Sequence, residues 1–346
     1  MLINLIILAG LVFLISCLFI PLNIKMSHKT GLISIPNHRN IHEKPHPCSG
    51  GISFAVPVIL AELFVILTSH DLIVQHNLTS LIIGSTLILI TGIIDDKYNL
   101  KARYKLIMQV VISVLMYFLG FKIEQITNPF GTSVPTSIMA FPFTIFWYLI
   151  IMNAMNLIDG LDGLATGISF ICSMVLMFAG FYYHNPTVLI SSMFLASGCL
   201  SFLFYNYPPS KIFMGDSGSL FLGFQFASIS ILGTYQLKGL TTMTLLIPVT
   251  VLFVPLLDTV TSVFRRIKNK QNIFHADKQH IHHRMLKMGF SEKMVMLISW
   301  FVTLLFAILA LGYIFVNRHI MLVLLLILSI VSGALFYYLV KKEFFK

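Results

Sequence analysis

Six carboxylates stand where apolar runs give way to polar segments: Asp95, Asp96, Asp159, Asp162, Asp216 and Asp258. An acid at the edge of hydrocarbon is expensive, and it pairs with a metal, a cation or a polar cavity. Asp95 and Asp96 are adjacent, so they repel one another when ionised unless a cation shares them. Lys97, Lys101, Arg103 and Lys105 follow directly; a polar helix end with basic loop residues is the structural alternative for this pair. In Asn153-Ala-Met-Asn156-Leu-Ile-Asp159-Gly160-Leu-Asp162-Gly163, a continuing helix places Asn153, Asn156 and Asp159 on one face at i,i+3 spacing. Amide and acid oxygens followed by a glycine-punctuated acid suit a hard cation carrying phosphate oxygens. A plain helix C-cap needs one Gly or Asn, not the whole cluster.

Two further segments complete the chemistry. In Gly215-Asp216-Ser217-Gly218-Ser219, Asp216 or Ser217 suits the cap of the apolar helix that follows, and the free amides there equally suit phosphate. In His275-Ala-Asp277-Lys278-Gln-His280-Ile-His282-His283-Arg284, the histidines resemble a zinc site, but no cysteine helps. The favoured reading is a cationic patch for pyrophosphate, built from imidazoles with Lys278 and Arg284. His38, Arg39, His42, Lys44 and His46 alternate with Pro36, Pro45 and Pro47, which reads as a stiff basic flap. Acids for a divalent ion and bases for phosphates are what phosphoryl transfer needs, since it depends on positioning and charge neutralisation. A lipid phosphate attacking a soluble nucleotide diphosphate fits this set.

The elements that must hold these residues follow from composition. The chain has 346 residues, 57% hydrophobic and 10% charged, with mean hydropathy +0.89. A soluble domain carries about 25% charge, so a soluble enzyme, a disordered chain and a secreted disulfide module are excluded. The expected fold is an all-α polytopic integral membrane protein of about eleven transmembrane helices of roughly 20 residues each. Spans are expected near 2–22, 50–69, 78–94, 106–120, 139–157, 164–180, 187–205, 219–236, 241–262, 295–314 and 320–340. The first lacks the basic flank and cleavage site of a signal peptide. Of the 23 Lys and Arg, all but Lys122, Lys238 and Arg318 then fall on one side. Excess basic charge marks the cytoplasmic face, so the N-terminus is expected outside and the C-terminus inside.

One transmembrane catalytic domain over residues 1–346 is expected, with cytoplasmic loops near 25–49, 95–105, 206–218 and 263–292. The four cysteines show no paired spacing. The net charge of +10 sits in short loops beside apolar runs, which points to anionic lipid and a phosphorylated substrate and not to nucleic acid.

Taken in order, Gly31–Asn37, Pro45–Gly51, Asp95–Leu100, Asn153–Ala165, Gly215–Ser219 and the His275–His283 loop resemble the polyprenyl-phosphate N-acetylhexosamine-1-phosphate transferases, glycosyltransferase family 4. The histidine loop is similar to that of the branch using UDP-N-acetylglucosamine for teichoic acid, O antigen or enterobacterial common antigen. The resemblance implies transfer of N-acetylglucosamine-1-phosphate from UDP-N-acetylglucosamine to undecaprenyl phosphate, with release of UMP. It implies Mg2+ as cofactor (Mn2+ a substitute), a homodimer, and a multi-pass protein of the bacterial cytoplasmic (inner) membrane with its site on the cytoplasmic face.

Carried over by position, the resemblance makes Asp216 a magnesium ligand, with Asn156 and Asp159 at the nucleotide and metal site. Asp95 and Asp96 match the pair implicated in catalysis, and Lys105 a base near the phosphates. Asn153 is a looser match, and His280, His282 and His283 belong to the diphosphate or sugar loop. Asp162, Gly215, Ser217 and Arg284 join the expected binding set, with His42 and Lys44 as loop candidates. The competing readings are the same chemistry with another UDP-N-acetylhexosamine, and a polytopic membrane transporter, whose acids would lie at mid-membrane.

Overall fold

The computed structural model describes residues 2–34, 45–127, 133–235, 252–253, 256, 281–316 and 318–343. Among these, the chain is a helical bundle trimmed by two short antiparallel hairpins. Helices α1 (Leu2–Thr30), α2 (Gly50–Thr68), α3 (Leu72–Tyr98) and α4 (Ala102–Phe118) come first, then α5 (Ala140–Ile158), α6 (Leu164–Tyr182), α7 (Pro186–Asn206) and α8 (Gly215–Tyr235). The short α9 (Ile281–Lys287) precedes α10 (Glu292–Phe315) and α11 (Arg318–Glu343). Strands β1 (Ile33–Ser34) and β2 (His46–Pro47) pair between α1 and α2, and β3 (Gln125–Thr127) and β4 (Ser133–Pro135) pair between α4 and α5.

Seven described helical segments are long and apolar enough to cross a membrane: Leu2–Thr30, Gly50–Thr68, Leu72–Tyr98, Ser137–Ile158, Leu164–Tyr182, Pro186–Asn206 and Glu292–Gly312. Large apolar side chains face outward along them, including Leu18 on α1, Leu67 on α2 and Phe301 on α10, each more than half exposed. A water-soluble surface does not tolerate so continuous an apolar coat. The chain is therefore an all-α polytopic membrane protein. The expected span at 241–262 lies largely outside the described residues.

Local signals set the ends of the helices. The Asp71 carboxylate caps α3 by accepting from Ile73 N at 2.9 Å and Val74 N at 3.2 Å. Asn99, left-handed at φ 49°, closes the same helix. Asn185 caps α7 with Pro186 in its first turn, and Ser291 caps α10. Helices α1 and α3 run further than the apolar stretches alone suggested, to Thr30 and Tyr98. Asp95 and Asp96 therefore ride on the last helical turns instead of in a loop.

Helix α8 is the bundle's axis. Its Phe221, Phe224 and Phe226 are fully buried, and it packs against α2, α3, α5 and α7. Polar cross-links pin it in place. Tyr148 Oη and Ser228 Oγ lie 2.9 Å apart, Trp147 Nε1 donates to Ser230 Oγ at 3.0 Å, and Gln225 Nε2 donates to Ser85 Oγ at 3.0 Å. The first turn of α8 meets two glycines. A Cβ on Gly51 of α2 would strike the Gly218 backbone, and one on Gly92 of α3 would strike Ser217. Small residues allow this backbone-to-backbone approach, as in other membrane bundles.

Candidate active site

The acids converge at one end of the bundle, where α3, α5 and α7 finish and α4, α6 and α8 begin. Asp96, on the last turns of α3, accepts from Asp216 N at 2.6 Å and Ser217 N at 3.0 Å. Its carboxylate therefore caps α8 from a distant part of the chain, placing negative charge at the positive end of that helix. Gly215, at φ +73°, permits this: a Cβ there would collide with Cys48 O and lie 2.7 Å from Asp96 Oδ2.

Beside this cap, Lys105 from the first turn of α4 holds three oxygens together. Its Nζ lies 2.9 Å from Asp95 Oδ2, 2.8 Å from Asp216 Oδ2 and 3.3 Å from Asn156 Oδ1. Asn156 in turn donates through Nδ2 to Asp216 Oδ1 and, at 2.9 Å, to Ser219 Oγ. One turn earlier on α5, Asn153 donates to Gln109 Oε1 of α4 at 2.8 Å. Asp95 also accepts from Leu100 N at 2.8 Å, which fixes its carboxylate as the chain leaves α3. These groups line a cavity of about 330 Å³ whose polar wall is Asp95, Lys105, Asn153, Asn156 and Asp216, and whose apolar flank is Leu100, Ala102 and Leu106.

Asp159 caps the C-terminus of α5. Burial, and then the charges of Asp216, Asp96 and Asp162, raise its carboxyl well above the usual carboxylate range. A cation entering this end of the bundle would relieve that repulsion. Asp162 is committed elsewhere: Oδ2 accepts from Ser210 N at 2.9 Å and Oδ1 from Ser210 Oγ at 2.8 Å.

The donor set discriminates between metals. Carboxylate and amide oxygens already surround one cationic nitrogen, and oxygen ligands suit Mg2+. The nearby thiol of Cys48 is buried, and burial together with Asp96 and Asp216 pushes its pKa up to about 12. Among the described residues, no three His, Cys, Asp or Glu side chains form a ready-made metal cluster. Oxygens of Asp216, Asn156 and Asp95 face one position, which the Lys105 ammonium takes here, and oxygen donors of this kind fit Mg2+.

The structure thus brings together Asp95, Asp96, Lys105, Asn153, Asn156, Gly215, Asp216 and Ser217, with Asp159 close enough to feel their charge. His42, Lys44, Asp258 and His280 lie outside the described residues, as do the side chains of His282 and His283 on α9. Arg284, on α9, is buried. Sequence reasoning passed over Gln109 and the Pro47–Phe213 contact, and it quoted Ser219 in its motif without giving it a partner. Gln109 had a signal, as an amide four residues after Lys105 in an otherwise apolar run. Phe213 did not: Phe213 N donates to Pro47 O at 2.8 Å, and its ring stacks on His46 with centroids 4.5 Å apart, a pairing only the fold creates.

Comparison with known proteins adds a second line. The model of glycosyl transferase family 4 matches residues 78–234, which include Asp95 through Ser217. The chain is 35% identical over 333 residues to a probable undecaprenyl-phosphate N-acetylglucosaminyl 1-phosphate transferase of Bacillus subtilis (strain 168), covering 94% of this chain and 91% of that one. It is 30% identical to a decaprenyl-phosphate N-acetylglucosaminephosphotransferase of Mycobacterium tuberculosis (strain ATCC 25618 / H37Rv), over 80% of this chain and 74% of that protein. It is also 31% identical to a phospho-N-acetylmuramoyl-pentapeptide-transferase of Lactobacillus johnsonii, over 85% and 93% respectively.

Proposed function

Because this chain belongs to glycosyl transferase family 4, we propose that it transfers N-acetylglucosamine-1-phosphate from UDP-N-acetylglucosamine to undecaprenyl phosphate. The products are UMP and undecaprenyl-diphospho-N-acetylglucosamine, the first membrane-bound intermediate of an envelope glycan such as a teichoic acid or O antigen. The observation that carries this reading is the oxygen cage of Asp95, Asn156 and Asp216 around the Lys105 ammonium, opening on a cavity with one apolar flank. The likeness to the Bacillus subtilis protein, over nearly the whole of both chains, supports the sugar and the lipid.

The acceptor's phosphate oxygen attacks the phosphorus that bears the sugar. A new phosphoanhydride forms, the bond to UMP breaks, and UMP leaves with the electron pair. A phosphate monoester has its second pKa near about 6, so the acceptor is already largely dianionic at neutral pH and needs no strong base. Lys105 neutralises charge on the transferring group, and Asp95 holds the Lys105 ammonium in line. Asp96 keeps the first turn of α8 fixed, so that Asp216 and the amides of Gly215 and Ser217 meet the donor in one geometry. Asp216, Asn156 and Asp159 would hold Mg2+ or Mn2+, which would supply positive charge toward the donor diphosphate. Asn153 borders the nucleotide from the cavity wall, Asp162 acts only by holding the turn after α5 to Ser210, and His280, His282, His283, Arg284, His42 and Lys44 are the candidates for the diphosphate and sugar.

The proposed setting is the bacterial cytoplasmic membrane: about eleven spans in one domain, the N-terminus outside, the site on the cytoplasmic face and the protein a homodimer. Another UDP-N-acetylhexosamine is the second reading, favoured by the muramoyl-pentapeptide relative. A transporter fits less well, because Asp95, Asp96, Asp159 and Asp216 gather at one end of the bundle and not at its middle. The test supplies purified protein with undecaprenyl phosphate, Mg2+ and a panel of UDP-sugars. The expected result is UMP release with UDP-N-acetylglucosamine only when acceptor and metal are both present. Release of UMP from none of the donors would overturn the assignment, and release from a different one would move the chain to another branch.

A further inference from the structure

The turn between α5 and α6 carries Asp159 and Asp162, and the connection between α7 and α8 leads into Asp216. Neither is held at its tip by regular secondary structure. Both converge on one side chain, Asn206, the last residue of α7 and only 3% exposed. Its Oδ1 accepts from Gly163 N at 3.0 Å and from Thr166 Oγ1 at 2.6 Å. Its Nδ2 donates to Ile212 O at 3.0 Å. The network also fixes which way the amide points, since the reverse orientation would aim an N–H at the Gly163 N–H and an oxygen at the Ile212 carbonyl.

We propose that Asn206 is a positioning residue for the transfer: one buried amide sets the distance between the α5–α6 turn bearing Asp159 and the α7–α8 connection that presents Asp216. This deepens the proposed function and rests on it for the identity of the reaction. Three features make the amide a spacer and not one contact among many. First, Gly163 is left-handed at φ 71° and opens α6 with no side-chain cap of its own, so Asn206 supplies the cap from another helix. Second, the turn cannot back away. A Cβ on Gly163 would already lie 2.9 Å from Met296 Sδ of α10, and Trp300 Nε1 of the same helix donates to Leu164 O at 3.4 Å. Third, the Asp162–Ser210 pair ties the same two segments a few residues away, so Asn206 and Asp162 fix their separation and their tilt.

Displacing a reacting group by about 1 Å costs on the order of 100-fold in rate, and loss of a supporting hydrogen bond costs about 10- to 100-fold in metal affinity or activity. Asn206→Leu keeps much of the volume and deletes all three bonds. Thr166→Val removes one donor and keeps the shape of its side chain. Asn206→Asp keeps the acceptor for Gly163 and sets a carboxylate oxygen against the Ile212 carbonyl. Each variant is purified in detergent, checked for monodispersity and melting temperature, and titrated with Mn2+ by electron paramagnetic resonance without substrate. Donor KM and kcat are then measured by UMP release.

Asn206→Leu is expected to weaken Mn2+ binding about tenfold and to lower kcat/KM about 100-fold, with donor KM rising. Asn206→Asp should fall between it and wild type, and Thr166→Val should lose about two- to fivefold in both readouts. A folded Asn206→Leu protein whose Mn2+ affinity and donor KM match wild type, with only its melting temperature lowered, overturns the proposal. If that variant does not fold, Thr166→Val decides on the same two measurements. If wild-type protein releases no UMP from any UDP-sugar, the reaction assignment fails, and the Mn2+ titration still decides whether Asn206 sets the geometry.

Discussion

Lys105 and Asp96 are the two side chains whose roles separate most clearly by substitution. The Lys105 ammonium stands between Asp95 and Asp216 at salt-bridge distance from each, in the space a divalent ion bound to Asp216 would border. Lys105→Met should cut turnover by about 100- to 1,000-fold, the scale of losing one preorganised charge-stabilising donor. It should leave substrate-free Mn2+ binding unweakened, because a competing positive charge has gone. Weaker Mn2+ binding in that variant, measured by electron paramagnetic resonance, would show that Lys105 organises the metal site instead of sharing it. Asp216→Ala should abolish both transfer and Mn2+ binding while the detergent-extracted protein stays folded; wild-type turnover with intact metal dependence would remove Asp216 from the site. Asp96 differs from both, since its carboxylate is spent on the backbone amides of Asp216 and Ser217. Asn keeps one acceptor oxygen but turns an N–H2 toward the second amide, so Asp96→Asn should lie between wild type and Asp96→Ala in activity. Equal loss in the two would assign Asp96 a chemical step.

At the scale of elements, the site depends on how closely α2 and α3 approach the first turn of α8. Gly51 and Gly92 are where these backbones touch, and an added methyl at either would meet backbone that has nowhere to go. Gly92→Ala should destabilise by about 1–3 kcal/mol, the usual cost of overpacking, and should lower activity further by tilting Asp216 away from Asn156. Thermal melts and UMP release on one preparation test this; an unchanged melting temperature with full activity would show that α8 moves freely. What was legible in the sequence follows from this division. Acid and amide spacing within one segment is local, so Asp95, Asp96, Asn153, Asn156 and Asp216 stood out as chemistry before any fold was known. The partner that each meets is not local. Asp96 lies 120 residues from Asp216, and Lys105 lies 51 residues from Asn156. Asp162 looked as ready for a ligand as Asp159, but only tertiary structure shows both of its oxygens turned to Ser210. Asn206, a single amide after an apolar run, gave no sequence signal, because its importance lies in where α6 and the α7–α8 connection come to rest.

For the whole molecule, the decisive relation is between the end of the bundle that holds the acids and the two sides of the membrane. The distribution of Lys and Arg predicts that Lys101, beside the cavity, faces the cytoplasm and that Lys122, after α4, faces outward. Lys101 immediately precedes α4 and Lys122 follows it, so the 17-residue helix separates the two positions, spanning about 25 Å at 1.5 Å per residue. That is short of the roughly 30 Å hydrocarbon core, so whether α4 carries the two positions to opposite sides is what labelling decides. The four native cysteines complicate labelling little, since Cys48, Cys172 and Cys199 are buried and only Cys17 is partly open. In a background where Cys17 is replaced by Ala, Lys122→Cys should react with a membrane-impermeant maleimide in intact cells, and Lys101→Cys should react only after the membrane is opened. The reverse pattern would place the cavity on the outer face, away from any cytoplasmic UDP-sugar. Labelling of both positions in intact cells would show that α4 does not cross, and the eleven-span topology would fail with it. A cytoplasmic Lys101 would let one cavity meet both substrates, with the nucleotide sugar arriving from water and the lipid phosphate sliding in along the apolar flank of Leu100, Ala102 and Leu106.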